Sequence, residues 1–210
     1  MDIRQTDPGG LRQRLSQVLA ARPLLRGLLR ALGAGGFCFV LAGAGLLDGP
    51  VPLALAPVCV LPFGPAAICA YLGAAAGYAV FWGLSAALEP VAAGFLLLAG
   101  SCLLADLVPD EQGWLASAAA GGIYALLGVI FVLRADGGLQ AALQLILRLV
   151  LLTLSVRMLS PAPANARLRP YAAAVCLLAG LVRVQLPFGV PLAVIPAAAI
   201  CVLAAAGPEA

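Results

Sequence analysis

The sequence predicts an all-α, polytopic membrane protein with about five to six transmembrane helices, and three observations lead there. Hydrophobic residues make up 63% of the 210, on a count that leaves out another 24 glycines. Charged residues make up only 10%, against roughly a quarter in soluble domains. The mean hydropathy of +1.08 agrees. A water-soluble fold needs a polar shell, and 12 basic with 9 acidic side chains cannot supply one. The same composition excludes most soluble enzyme classes, the usual nucleic-acid-binding modules and a disulfide scaffold.

Residues 1–30 are a basic prelude, expected to be cytoplasmic. Asp7-Pro8 has the form of a helix N-cap followed by proline at the first helical position. Leu11, Leu15, Val18 and Leu19 then recur at helical spacing, while Arg22, Arg26 and Arg30 fall four apart. Such an amphipathic, arginine-bearing helix suits the anionic cytoplasmic leaflet, with partner docking as the other reading. The charged stretch is too long for the n-region of a signal peptide.

Residues 31–206 read as the helical membrane domain and 207–210 as a short tail. Apolar segments run over 31–47, 65–83, 91–107, 114–133, 139–158 and 187–206, against the roughly 20 residues a helix needs to cross a bilayer. Two shorter apolar stretches, 53–61 and 171–182, each precede a copy of Leu-Pro-Phe-Gly. The motif residues are Pro62, Phe63 and Gly64 in the first copy and Pro187, Phe188 and Gly189 in the second. Proline removes a backbone donor and glycine permits unusual dihedrals, so both copies should interrupt a helix. In lipid the freed backbone groups must find protein or water. Ala66, Ala70, Gly73 and Gly77 share one helical face, a small-residue surface for close helix packing within or between chains.

Orientation follows from arginine, which supplies all 12 basic residues. The arginine-rich N-terminus should face the cytoplasm, with Asp48 and the acidic 106–113 loop outside and Arg134 back inside. The rule then falters. If 139–158 crosses, Arg157, Arg167 and Arg169 emerge outside. Gln140, Gln144 and Arg148 lie four apart and form a polar stripe on this segment. A mid-span arginine costs on the order of 2.5–3.5 kcal/mol even on the mildest scale. An in-plane interfacial helix showing that stripe to water is therefore preferred, with a span whose stripe faces neighbouring helices as the alternative. Glu89-Pro90 and Asp106 read as span boundaries, with coupling to protons as the other reading, and Arg183 with Gln185 as interfacial residues.

Chemistry-bearing patterns are sparse. No histidine is present, which removes imidazole catalysis and imidazole metal ligation. The six cysteines lie in apolar runs without a C-x-x-C pair and read as small apolar fillers. Phosphate loops and zinc spacings are missing, and no cofactor is expected. The spans hold few polar groups, which weighs against solute transport.

Residues 52–104, PLALAPVCVLPFGPAAICAYLGAAAGYAVFWGLSAALEPVAAGFLLLAGSCLL, resemble the N-terminal membrane region of stage II sporulation protein E. The resemblance lies in a span and short loop leading to Pro62-Phe63-Gly64, then a small-residue helix from Tyr71 to Trp82, then further packed spans. The basic prelude fits, and 171–206 is similar to a later part of that region. The resemblance implies a multi-pass anchor in a bacterial plasma membrane. In that family the anchor tethers a PP2C-type serine/threonine phosphatase, which activates the forespore sigma factor at the asymmetric septum. The metal-binding aspartates of that phosphatase have no counterpart in this sequence, so no catalysis is expected within it. Against the family's usual ten or so spans, the sequence reads as truncated.

The expected role is therefore anchoring, localisation and self-association. The expected partners are the lipid bilayer and other membrane proteins, with no nucleic acid and no small-molecule ligand. The rival is the substrate-binding membrane subunit of an energy-coupling-factor type transporter, which would carry a small solute.

Overall fold

The structure, a computed structural model, describes residues 23–46, 49–104, 114–134, 138–161 and 166–184, with 192, 193 and 196. Helix α1 spans Pro23–Leu41. A short antiparallel hairpin follows, β1 (Gly45–Leu46) with β2 (Gly49–Pro50), pairing Gly45 with Pro50 and Leu46 with Gly49. A 3₁₀ turn at Pro52–Ala54 leads into the six-residue helix α2, Leu55–Val60. Then come α3 (Pro65–Leu104), α4 (Trp114–Arg134), α5 (Leu139–Leu159) and α6 (Arg169–Leu181). The chain is mostly helical, and α1, α3, α4 and α5 are each long and apolar enough to cross a membrane.

The 40 residues of α3 do not form one rod. Gly83 sits at φ 80°, ψ 163°, a conformation that glycine alone adopts without strain, and the helix turns back there. The Tyr71 hydroxyl reaches the Val91 carbonyl at 3.5 Å, and the Tyr71 and Phe95 rings lie 6.4 Å apart. In a straight helix those residues would stand roughly 30 Å or more apart. The arms 65–82 and 84–104 are therefore antiparallel neighbours. The expected boundary at Glu89-Pro90 is corrected accordingly: the chain reverses six residues earlier, where a positive φ is available, and Pro90 is absorbed, fully buried, inside the second arm.

Helix α1 and the first arm of α3 run parallel and very close. A Cβ on Gly73 would overlap the Gly35 carbonyl, and one on Gly77 would stand 2.6 Å from the Phe39 oxygen. Further along, the Phe39 and Phe81 rings lie 5.2 Å apart and Trp82 Nε1 donates to the Ala42 carbonyl at 2.9 Å. Ala70 is fully buried on the same arm, and Ala66 is half-buried. The small-residue face is thus used within the chain, so it is not open for association between copies.

Parallel packing has a topological consequence. Leu41 ends at the Gly83 end of the bundle, yet Pro65 begins at the Pro23 end. The intervening chain therefore returns through the middle, and every residue from 49 to 58 is buried. This segment packs against α3, α4 and α5, and the 3₁₀ turn also meets α1. Its backbone cannot satisfy itself as a long helix would, so aromatic donors serve it. The Tyr78 hydroxyl donates to the Val51 carbonyl at 3.0 Å, and the Val51 amide donates to Ala44 at 3.0 Å. The first Leu-Pro-Phe-Gly lies where this segment leaves the core: Pro62 and Phe63 are exposed and Gly64 is half-buried. The second copy, Pro187, Phe188 and Gly189, lies outside the described residues, as do most of the apolar segment 187–206, residues 1–22 and the tail 207–210.

The remaining helices follow in alternation. Helices α4 and α5 are antiparallel, with Ser117 Oγ donating to the Thr153 carbonyl at 2.9 Å and Gly128 against Leu145. Helix α6 meets α1 at Gly180, set against Val40, Leu41 and Gly43. Buried positions on the long helices favour alanine (Ala70, Ala74, Ala93, Ala120), while Leu84, Leu103, Leu133 and Leu139 stand exposed. Small inside and large apolar outside is the pattern of a surface solvated by lipid, since water would not tolerate so much exposed hydrocarbon.

Packing at the α1–α3 contact predicts that Gly73→Leu lowers stability by several kcal/mol, beyond the roughly 1–3 kcal/mol of ordinary overpacking, because backbone rather than a side chain must move. Gly27→Leu, where nothing lies within 4 Å of the added Cβ, should leave stability unchanged. Thermal unfolding of both variants in detergent checks this. Tyr78→Phe should cost about 1–3 kcal/mol in the same assay, by orphaning the Val51 carbonyl.

Candidate functional site

The long helices carry few ionisable side chains, and the fold brings two of them together. Arg148 Nη1 lies 3.6 Å from Glu89 Oε2, with side-chain exposures of 14% and 17%. Glu89 comes from the second arm of α3, one turn and a half past Gly83. Arg148 comes from the middle of α5. Between them stands Tyr124 of α4, essentially buried, its hydroxyl within hydrogen-bonding reach of both. It can donate to the carboxylate and accept from the guanidinium. Three helices therefore meet at one polar point.

The hairpin closes the other side of the arginine. A Cβ on Gly49 would occupy the space of Arg148 Nη2, so glycine here lets the backbone of β2 lie flat on the guanidinium. Arg148 Nε is buried and has no hydrogen-bond partner. Coulomb attraction in a low-dielectric interior offsets part of the desolvation of the two charges. The 3.6 Å separation exceeds a direct hydrogen bond, so the pair is held more by charge than by bonding geometry.

This arrangement revises the polar stripe on α5. Gln140 is exposed, Gln144 is half-buried, and Arg148 turns into the bundle. The stripe is divided, and its most polar member is not a wet face. The physical reason is Glu89: a carboxylate on the neighbouring helix gives the guanidinium a better partner than an interface would. Helix α5 also packs along α4 from Ser117–Thr153 to Gly128–Leu145, as expected of the spanning alternative rather than the in-plane one.

Glu89, which the sequence reads as a span boundary, is the partner that the polar stripe on α5 did not reveal. The available signal was parity. A lone carboxylate and a lone guanidinium within long apolar helices are best accommodated by pairing with each other. Tyr78 and Tyr124 were equally silent, since a tyrosine in an apolar run looks like an ordinary aromatic until its hydroxyl finds a partner.

Elsewhere the side chains offer little chemistry. Among the described residues, no group of three histidine, cysteine, aspartate or glutamate side chains could hold a metal ion. Cys38, Cys59, Cys69, Cys102 and Cys176 are free thiols. At the Gly83 end the Arg183 guanidinium lies 3.7 Å from the centre of the Trp82 ring, a cation–π contact beside the hairpin. No protein-family model matches this chain, and no curated protein or solved structure matches it either.

The pair predicts an asymmetry in mutational cost. Glu89→Gln or Arg148→Gln alone should destabilise by up to roughly 3–5 kcal/mol, because each leaves the opposite charge buried and unpaired. The double change Glu89→Gln with Arg148→Gln should cost much less than the sum of the two single changes. Thermal unfolding of the four proteins in one detergent measures the coupling.

Proposed function

We propose that this chain is a membrane-embedded anchoring and localisation module, with its Pro23 end in the cytoplasm and no catalysis of its own. The observation that carries the reading is the closed bundle: helices locked around a buried central segment, an internal charge pair, and an outer surface of large apolar side chains. Such a body holds a fixed position in lipid and needs no ligand to complete it. The resemblance to the membrane region of stage II sporulation protein E supports the same role. Its motif residues Pro62-Phe63-Gly64 form the exit of the central segment, and the small-residue helix from Tyr71 is the arm packed on α1. In that family the membrane region tethers a protein serine/threonine phosphatase at the asymmetric septum of a sporulating bacterium.

Orientation has its own support. Because the chain returns through the core between α1 and α3, Arg26, Arg30, Arg157, Arg167 and Arg169 collect at the Pro23 end, against Arg134 and Arg183 at the other. The positive-inside rule then favours a cytoplasmic Pro23 end. This inverts the earlier assignment of Arg134 and removes the conflict over the later arginines. In a variant lacking the native cysteines, Gly138→Cys should react with a membrane-impermeant thiol reagent in intact cells. Arg167→Cys should react only after permeabilisation, and the opposite pattern would reverse the orientation.

Localisation is tested by fusing a fluorescent protein to the chain in a spore-forming bacterium. Enrichment at the asymmetric septum as sporulation begins is the expected result. Uniform labelling of the cell membrane throughout would contradict it.

A second reading, the substrate-binding subunit of a small-solute transporter, is favoured by the unpartnered Arg148 Nε beside Tyr124. It predicts a small anion that copurifies with the chain in native mass spectrometry and is lost in Arg148→Gln.

A further inference from the structure

Residues 197–206 hold no charge and follow directly on Pro196, which is helical. The structure fixes where this run begins. Gly180, near the end of α6, packs on Val40 and Leu41, and its carbonyl lies 2.6 Å from where a Cβ on Gly43 would stand. Arg183 then stacks on Trp82 beside the hairpin, and the Leu192 amide donates to the Val184 carbonyl at 2.7 Å. Ala193 is only 8% exposed. The chain is thus tied back onto the Gly83 end of the bundle, within about one turn of the height of Gly43, before the run starts. An uncharged run that starts there in lipid stays in the apolar layer, and its way onward is down the bundle towards the Pro23 end.

Helix α1 offers this run a surface. Gly35 faces the first arm of α3, and at about 100° per residue Leu32, Gly36, Leu29 and Gly33 fall roughly 60–160° round the helix from it. All four are exposed, and a Cβ on Gly36 or Gly33 would meet nothing within 4 Å. They are open helix surface below Gly43. On the long helices exposed positions mostly carry large apolar side chains, whereas here bare backbone shows at two positions three residues apart. Residues 197–206 carry the complement: alanines with Ile200 and Leu203, also three apart. From Gly43 to Gly36 is as many residues as from Ala193 to Ile200, and from Gly43 to Gly33 as many as from Ala193 to Leu203, about 15 Å of helix. The two large side chains therefore come level with the two glycines, and Ala204 comes level with Leu32.

We propose that residues 197–206 of this chain dock as a helix on the open face of α1, antiparallel to it, with Ile200 seated on Gly36 and Leu203 on Gly33. A branched side chain on bare helix backbone gains close van der Waals contact that mobile lipid tails do not match, and such contact is what drives helix association in a bilayer. Charge agrees with the direction. The next charged residue, Glu209, comes to the end of α1 that carries the exposed Arg26 and Arg30.

This inference rests on the reading of the chain as membrane-embedded, and its test separates the two. A chain that stays out of the membrane fraction overturns both, whereas a membrane-resident chain without the links below overturns the docking alone. Cysteine pairs are placed in a full-length variant whose six native cysteines are alanine, and its membranes are oxidised with copper phenanthroline. G36C/I200C and G33C/L203C should each close a disulfide within one chain, read as a linked peptide by mass spectrometry after proteolysis. G36C/L203C, one turn out of register, and G122C/I200C, which uses the exposed glycine of α4, should link several-fold less. The chain with its native cysteines gives an independent readout, which decides the matter should the cysteine-free chain not fold. There G36L should lower the thermal midpoint in detergent by several degrees, because a leucine at that position displaces Ile200, while G27L leaves it unchanged. Failure of both in-register pairs to link, stronger linking of residue 200 to residue 122, links between chains in place of links within one, or an unchanged midpoint in G36L would each overturn the assignment.

Discussion

The structure depends on one constraint: a stretch of backbone that is not a continuous helix runs through the interior of an apolar bundle. Water is excluded there, so each unpaired carbonyl or amide would cost several kcal/mol. The chain meets the cost with donors from its neighbours, Tyr78 to Val51 and Trp82 to Ala42. Those aromatic rings come from the first arm of α3, which must therefore lie tight against both α1 and the returning segment. Gly73 and Gly77 make that approach possible. The small-residue face, the buried tyrosine and the threaded core are one solution to one problem.

The same threading sets the charge distribution. An added return through the bundle changes the parity of everything after it, so helices that would have ended at the Gly83 end finish at the Pro23 end. Arg157, Arg167 and Arg169 join Arg26 and Arg30 at one end, and the acidic and basic groups left within the helices are one carboxylate and one guanidinium that meet each other. A buried pair of this kind is weak evidence of stability in itself, because desolvation offsets much of the attraction. Its effect is to choose an arrangement: Arg148 can turn inward only where Glu89 is waiting, which fixes the rotation of α5 against the second arm of α3.

Much of the architecture was legible in the residues. The apolar segments at 65–83, 114–133 and 139–158 correspond to helices, and Pro62-Phe63-Gly64 does separate one helix from the next. Two features were not legible. The break at Gly83 looks like any glycine in a glycine-rich helix, since its positive φ arises only from the reversal of the chain. The stretch 49–58 is apolar yet too short for a span, and hydropathy alone does not distinguish a surface loop from a buried strut. The polar stripe was misread for a related reason: spacing along α5 gives the face of a helix but not the identity of whatever faces it.

By itself, then, the sequence determined the class of structure and the apolar character of its helices. Sixty-three per cent hydrophobic residues and runs of helix length give a mostly helical chain whose long helices are apolar enough to cross a membrane, because local composition controls transfer and local hydrogen bonding controls helix formation. Tertiary structure decided which way the chain passes through the bundle, which glycine reverses it, and which two charges become partners. Those outcomes depend on contacts between residues far apart in sequence, such as Gly35 with Gly73, Val51 with Tyr78 and Glu89 with Arg148. No periodicity within one segment encodes the partner on another.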